Sequence, residues 1–276
     1  MTGTTWGQQK ETLLLTYGAL IKSIILYAAP VWYPNAGSVQ RLQSIQNSAL
    51  RIASGCHGTA SAEDLHRECK MLTVSHSLTL ACQQFLASAL RISHPSFALV
   101  TSAPGPRSMK HTLQSRFLPA ISHLLQDNVT ENSEYKAVLS EIHTNVVADY
   151  FGSLSPNRVL QAHPPDIHPE EASLPRAQRR ALAQLRSGFC RHLNDYKYRI
   201  GASPMSACPS CRGATHSVRH LFTCPSHPTS LNVSCLWTDP VAAAVFITSL
   251  PFFDLPPLER PPPEPPPGDV PPEDIG

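Results

Sequence analysis

Cys208-Pro-Ser-Cys211 is followed by His220 and Cys224, so thiols and an imidazole fall in a Cys-x2-Cys-x8-His-x3-Cys order. Thiolates and imidazole hold Zn²⁺ tetrahedrally at about 2.0–2.3 Å, and two residues between paired cysteines suit one tight turn. Pro209 and Ser210 are turn-forming residues. His220 and Cys224 stand one helical turn apart, so both can lie on one face of a short helix. The pattern predicts a structural zinc centre at Cys208, Cys211, His220 and Cys224, with every coordination position filled by protein. With eight cysteines and thirteen histidines, chance grouping is the alternative; matched type and spacing together favour the metal. His216 competes as the histidine ligand, because four residues separate it from Cys211 as in a retroviral-type knuckle. Its separation from Cys224 is too long for that pattern, which favours His220.

Ahead of the cysteines, apolar residues recur at helical spacing through Leu182, Leu185, Phe189, Leu193 and Tyr196. A basic amphipathic helix from Arg176 to Ile200 is expected, carrying Arg176, Arg179, Arg180, Arg186, Arg191, Lys197 and Arg199. Guanidinium groups grip phosphates in bidentate fashion, and neutralising several phosphates releases counterions. Arg186, Arg191, Lys197 and Arg199, with Arg212 and Arg219 beside the cysteines, are the candidate contacts to RNA or DNA, with weak sequence preference. The plainer alternative is a solvated charged face.

Composition narrows the field. At 276 residues and 42% hydrophobic, the chain is long enough for one large core or two modest ones. A net charge of +2 excludes a globally basic nucleic-acid binder, so any such contact is local. The start, Met1-Thr-Gly-Thr-Thr-Trp, lacks the pattern of a secretory leader. A reducing, nuclear or cytoplasmic setting is expected, with Cys56, Cys69, Cys82, Cys190 and Cys235 as packed thiols. The most apolar run, Leu13 to Val31, is broken by Thr16, Lys22 and Ser23, so no membrane partner is expected. No Gly-x-Ser-x-Gly elbow, Walker loop or dinucleotide fingerprint occurs.

The elements that would position these residues are mainly α-helical. Leu13, Tyr17, Leu20, Ile21 and Ile24 predict a helix from Gln8 to Ala29, stopped by Pro30. A second is expected from a cap at Ser38 to Gly55, with Gln40, Arg41, Gln43, Asn47 and Arg51 on a face either solvated or set against nucleic acid. Ser61-Ala-Glu-Asp64 opens a short helix ending near Met71, and Val74–Ile92 follows, burying Leu78, Cys82, Phe85, Leu86 and Ala89. Residues 5–100 thus read as a helical bundle. A loop from Ser93 to Arg107 leads to a helical connector over 108–173, with helices near Lys110–Leu125 and Glu134–Tyr150, and the main break falls in the Pro- and His-rich Ser155–Pro175. Residues 174–250 form the basic helix and zinc module, and 251–276 a disordered Pro-rich tail. Arg260, Pro263 and Pro266 match an SH3-type ligand pattern, within a composition that reaches it easily.

Three segments in order resemble the C-terminal part of a jockey-type non-LTR retrotransposon polyprotein. Tyr17-Gly-Ala-Leu-Ile-Lys-Ser-Ile-Ile-Leu-Tyr-Ala-Ala-Pro-Val-Trp with Leu42-Gln-Ser-Ile-Gln-Asn-Ser-Ala-Leu-Arg-Ile-Ala-Ser-Gly resembles the helical thumb of its reverse transcriptase. Leu182-Ala-Gln-Leu-Arg-Ser-Gly-Phe-Cys-Arg-His-Leu-Asn-Asp-Tyr resembles the stretch before the terminal cysteine motif, and the Cys-Cys-His-Cys set resembles that motif. The resemblance spans most of residues 5–250 and implies RNA-templated DNA synthesis, with the zinc motif helping to hold nucleic acid. The chain departs from the family at the decisive point. Such polymerases clamp two divalent ions between paired aspartates, and no Asp-Asp pair occurs in the sequence. A truncated, non-catalytic fragment is therefore expected, with no catalytic residues. The alternatives are the C-terminal portion of a larger active polymerase, or an interaction protein working through the zinc loop and tail.

Overall fold

In the computed structural model, which describes residues 8–90, 94–95, 109–125 and 132–256, the N-terminal helical pattern does not run unbroken to Pro30. Lys10–Tyr17 (α1) passes through a π-helical turn, Gly18–Lys22, into Ser23–Leu26 (α2). Ala28 then takes a left-handed φ of 50°, and Pro30 lies in the first turn of Ala29–Trp32 (α3). A proline in a first turn forfeits no helical hydrogen bond, so the break precedes it instead of falling on it.

Ala36–Ser54 (α4) is capped by Asn35 and not by Ser38: the Asn35 side chain accepts from the Ser38 N–H at 2.9 Å. Gly55 closes it with the left-handed φ of 73°. Ala62–Cys69 (α5) starts as the capping pattern requires, with Ser61 Oγ accepting from the Asp64 N–H at 3.1 Å. Val74–Ala89 (α6) is capped by Thr73. Against α6 lie Met109–Ile121 (α7) and Asn132–Ser153 (α8), closing a core of Leu78, Cys82, Leu86, Phe117, Ile121 and Ile142. Burying a leucine or isoleucine of this kind contributes about 1.5–3 kcal/mol.

The basic stretch is two helices, not one. Arg176–Ser187 (α9) stops at Gly188, whose φ of 73° and N–H donation to the Gln184 and Leu185 carbonyls end it, and Asn194–Arg199 (α10) begins afresh. Val218–Leu221 (α11), Cys235–Thr238 (α12) and Pro240–Ser249 (α13) then build a second core around α9 from Leu182, Leu185, Leu193, Leu236 and Ile247. The other side of α9 offers Ala183 to Leu50, Leu65 and Cys69 of the first helices. The helix assigned to the C-terminal module is thus shared between both halves of the chain.

Its arginines do that joining. Arg186, 3% exposed, meets both Glu68 oxygens at 3.0 and 3.1 Å and also pairs with Glu171. Lys10 reaches the same two carboxylates at 3.1 and 3.4 Å. Burial pushes the Glu68 carboxyl up, but Arg186 and Lys10 outweigh it and hold the group below its ordinary range. Arg179 pairs with Glu11, whose carboxyl it lowers to about 2, and Arg176 donates to the Gln8 and Ile52 carbonyls at 2.7 and 2.9 Å. Arg186 is therefore not a phosphate contact, because a fully enclosed guanidinium with two carboxylate partners has no face left for one.

Among the described residues there is no strand, only an isolated antiparallel bridge between Ala207 and Thr215, and no helix is long and apolar enough to cross a membrane. The expected Pro-rich tail beyond residue 256, with its SH3-type pattern, lies outside the described residues, as does most of the expected loop over 93–107.

Candidate metal centre

The bridge between Ala207 and Thr215 pins the base of the cysteine turn. Within it, the Cys208 N–H donates to Ala214 O at 2.8 Å and the Arg212 N–H to Cys208 O at 3.0 Å. Arg212 takes a left-handed φ of 57°, and Gly213 follows. This curl turns both cysteine side chains to one side. On the opposing limb, Ser217 caps α11 by accepting from the His220 N–H at 3.3 Å, so His220 enters from a fixed helical turn. The Thr223 N–H continues that turn onto His220 O at 3.1 Å and delivers Cys224 just beyond it. Ser210 and His227 close the outer edge through a 2.8 Å hydrogen bond.

The ligand atoms of Cys208, Cys211, His220 and Cys224 all lie within 4.8 Å of one another. Cys208 Sγ stands 3.9 Å from Cys224 Sγ, and Cys211 Sγ 3.2 Å from His220 Nε2. A disulfide needs about 2.05 Å between sulfurs, whereas tetrahedral bonds of about 2.0–2.3 Å place neighbouring ligands on the order of 3.5 Å apart. The four could hold a metal ion, and they are the four the spacing selects.

His216 stands apart from this group. It is fully buried, its Nδ1 accepts the Asn194 N–H at 3.1 Å, and its ring meets Phe252 edge-on at 4.5 Å. Burial, then the charges of His220 and Lys197, lower it to about 4. Its place is structural: with Asn194, whose side chain donates to Ala207 O at 2.9 Å, it ties α10 to the cysteine turn. The spacing to Cys224 already favours His220 over His216, and the Ser217 cap that places His220 in a helical turn is the structural reason.

The remaining thiols behave differently. Burial raises Cys56, Cys82 and Cys190 to about 12 and pushes Cys69 up as well. Cys211, in contrast, is lowered, first by the hydrogen bond from the Gly213 N–H. Burial raises Cys224. A thiolate is the ligand form, and the amide at Gly213 favours it where the turn is tightest.

Around the centre the candidate phosphate contacts divide. Arg191 and Arg212 are exposed and Lys197 is half-buried, all three without an ion pair among the described residues. Arg199 is committed to Asp195 at 3.0 Å and Gly188 O at 2.9 Å. Arg219 donates to Val159 O at 2.9 Å and to Leu160 O at 3.4 Å. On α4, Gln43 is not a solvated or nucleic-acid-facing residue: it bonds His66 at 3.0 Å and accepts the Val74 N–H at 2.8 Å.

Comparison of the chain with protein-family models, with curated proteins and with solved structures gave no match.

Proposed function

We propose that this chain is a fragment of a jockey-type non-LTR retrotransposon RNA-directed DNA polymerase, lacking the catalytic palm, that holds RNA or DNA beside a structural zinc centre. The observation that carries this reading is the closed Cys-Cys-His-Cys cluster, in a segment of the chain that also supplies Arg191, Lys197 and Arg212, which make no ion pair among the described residues. Three thiolates and one imidazole in a tetrahedral arrangement suit Zn²⁺ over harder cations. With all four positions protein-filled, the ion would be structural, contributing on the order of 10 kcal/mol to the local fold. The three cations would pair with phosphates without reading bases, hence the weak sequence preference. No Asp-Asp pair is present to clamp catalytic ions, so the fragment itself is read as non-catalytic, in a nuclear or cytoplasmic setting.

The test uses the full chain, because α9 is packed between both halves. Elemental analysis should give one zinc per chain. Single-stranded RNA titrated at two salt concentrations should give a log–log slope of about −2 for three phosphate contacts. Replacing Arg191, Lys197 and Arg212 together by glutamine should flatten it. Metal-free protein, or binding indifferent to salt, would sink the reading.

One observation favours a second reading, the C-terminal part of a larger active polymerase. Leu15, Ile24 and Tyr27 of the thumb-like helices are 73%, 73% and 80% exposed, a face suited to being covered. An upstream reading frame encoding an Asp-Asp hairpin would decide for it.

A further inference from the structure

Away from the metal centre, a cavity of about 590 Å³ opens where α5, α8 and α9 meet the segment 163–167. Its rim is formed by exposed residues, among them His143, His163 and Asp166, and its base by buried ones, Leu72, Ala183 and Trp237. The walls are largely apolar, with Met71, Leu80, Val147, Phe151 and Ile167. A concave apolar site of this volume with a few polar groups is the usual form of a small-molecule pocket.

The charges around it do not cancel. Three carboxylates line the cavity, and each is committed: Glu68 to Lys10 and Arg186, Asp64 to Ser61 at 2.8 Å and Arg67 at 3.8 Å, Asp166 to Lys70 at 2.9 Å. The cation left over is Lys22. Its ammonium is half-buried, has no carboxylate within 4.0 Å among the described residues, and donates only to Met71 Sδ at 3.6 Å. A thioether is a weak acceptor, and burial pulls the Lys22 ammonium below its ordinary pKa. A charged donor held in a pocket without an acceptor is a place for an anion.

We propose that this cavity binds an amphipathic monoanion, its acid group on Lys22 Nζ and its apolar body against Leu80, Phe151 and Trp237. One uncompensated cation fits one negative charge, and the apolar walls exclude a polyanion such as a nucleic acid strand. The acid could sit on an alkyl chain or on an aromatic ring, and the experiment separates these sources.

Binding of 1-anilinonaphthalene-8-sulfonate to the full chain is followed by energy transfer from tryptophan, beside the uncharged N-phenyl-1-naphthylamine. Ile24→Gln is used as the background to suppress dye on the exposed N-terminal face. One saturable sulfonate site is expected. Lys22→Gln should weaken the sulfonate about tenfold while changing the neutral dye less than twofold, and Lys22→Arg should restore most of the loss. Leu80→Trp, which fills the cavity, should abolish both dyes. Displacement by laurate but not by 1-naphthaleneacetate identifies a chain ligand, and the reverse a ring ligand. Equal sulfonate affinity in wild type and Lys22→Gln overturns the proposal, whether or not Leu80→Trp folds. So does failure of both carboxylates to displace the dye.

Discussion

The two ends of the chain use the same helical periodicity and finish it differently. Around α9 the core residues Leu182, Leu185, Leu236 and Ile247 are wholly enclosed, while Tyr198, Ile200, Met205 and Val245 stay at the surface. Along α1 to α3, Tyr17, Ile25 and Ala29 are buried while Leu15, Leu20, Ile24, Tyr27 and Val31 stand in solvent. Spacing says which residues can share a face; it does not say whether anything covers that face. The C-terminal half encloses its main core with short helices, a four-ligand cluster and buried charge, and the N-terminal rod is left with most of one side unmatched.

The sharpest way to break this contrast is at the ligands. Cys211→Ser, or removal of metal by a chelator, should cost on the order of 10 kcal/mol locally. Hydrogen exchange should then lose protection over residues 206–227 while α4 to α6 keep theirs. Equal protection in both forms would mean that the turn is held by its backbone bridge alone.

Next in size is the charge cluster that ties the halves together. Arg186→Ala leaves the buried Glu68 and Glu171 sharing chiefly Lys10, and breaking a buried pair in this way costs about 3–5 kcal/mol. Denaturant unfolding should show both halves weakened, because Lys10 belongs to the N-terminal helix and Glu171 to the C-terminal half. Arg186→Met combined with Lys10→Met, Glu68→Gln and Glu171→Gln should recover most of the loss.

That cluster marks where sequence reading stops. Some caps and stops were legible, Ser61, Gly55 and the two-residue cysteine turn, because they act through neighbours in the chain; the Asn35 cap and the break before Pro30 were not. The four ligands were legible for the same reason, each limb being a local turn. Arg186 was not, since an arginine on an amphipathic helix looks the same whether it faces water or a glutamate 118 positions away. The break at Gly188 was visible as a glycine, yet the apolar spacing across it, from Leu185 through Phe189 to Leu193, masked it. The cavity beside Lys22 draws on segments from Lys22 to Trp237 and has no sequence signature.

Acid should weaken the protein by a smaller amount, and unequally. His66 is buried with Nδ1 on Met71 O at 2.6 Å and Nε2 facing the Gln43 amide at 3.0 Å, and burial lowers its pKa. His216 is lowered to about 4. Below about pH 6.5 the unfolded chain binds protons that these buried rings refuse. Their stabilisation is therefore present above pH 6.5 and lost as pH falls toward 4. The His216 shift corresponds to at most on the order of 3 kcal/mol. Urea midpoints at pH 7.5 and pH 5 should differ in that direction. His216→Asn should reduce the difference more than His66→Gln does, placing the larger acid sensitivity in the C-terminal half.

The smallest change in stability should come from the uncovered face, and there the comparison between the two ends is most informative. Replacing Leu20, Ile24 and Tyr27 by glutamine, serine and serine removes apolar surface that is already wet in the isolated chain. Each substitution should stay within about 0.5 kcal/mol, against about 2–5 kcal/mol for Leu182→Ala in the closed core. The readout that moves is association. Large exposed apolar patches drive self-contact, so the parent chain should sediment as concentration-dependent oligomers and the triple variant as a monomer. A parent chain that stays monomeric at high concentration would show that this face, despite its exposure, does not behave as an interface. The two ends of the molecule would then differ in packing without differing in what they ask of a partner.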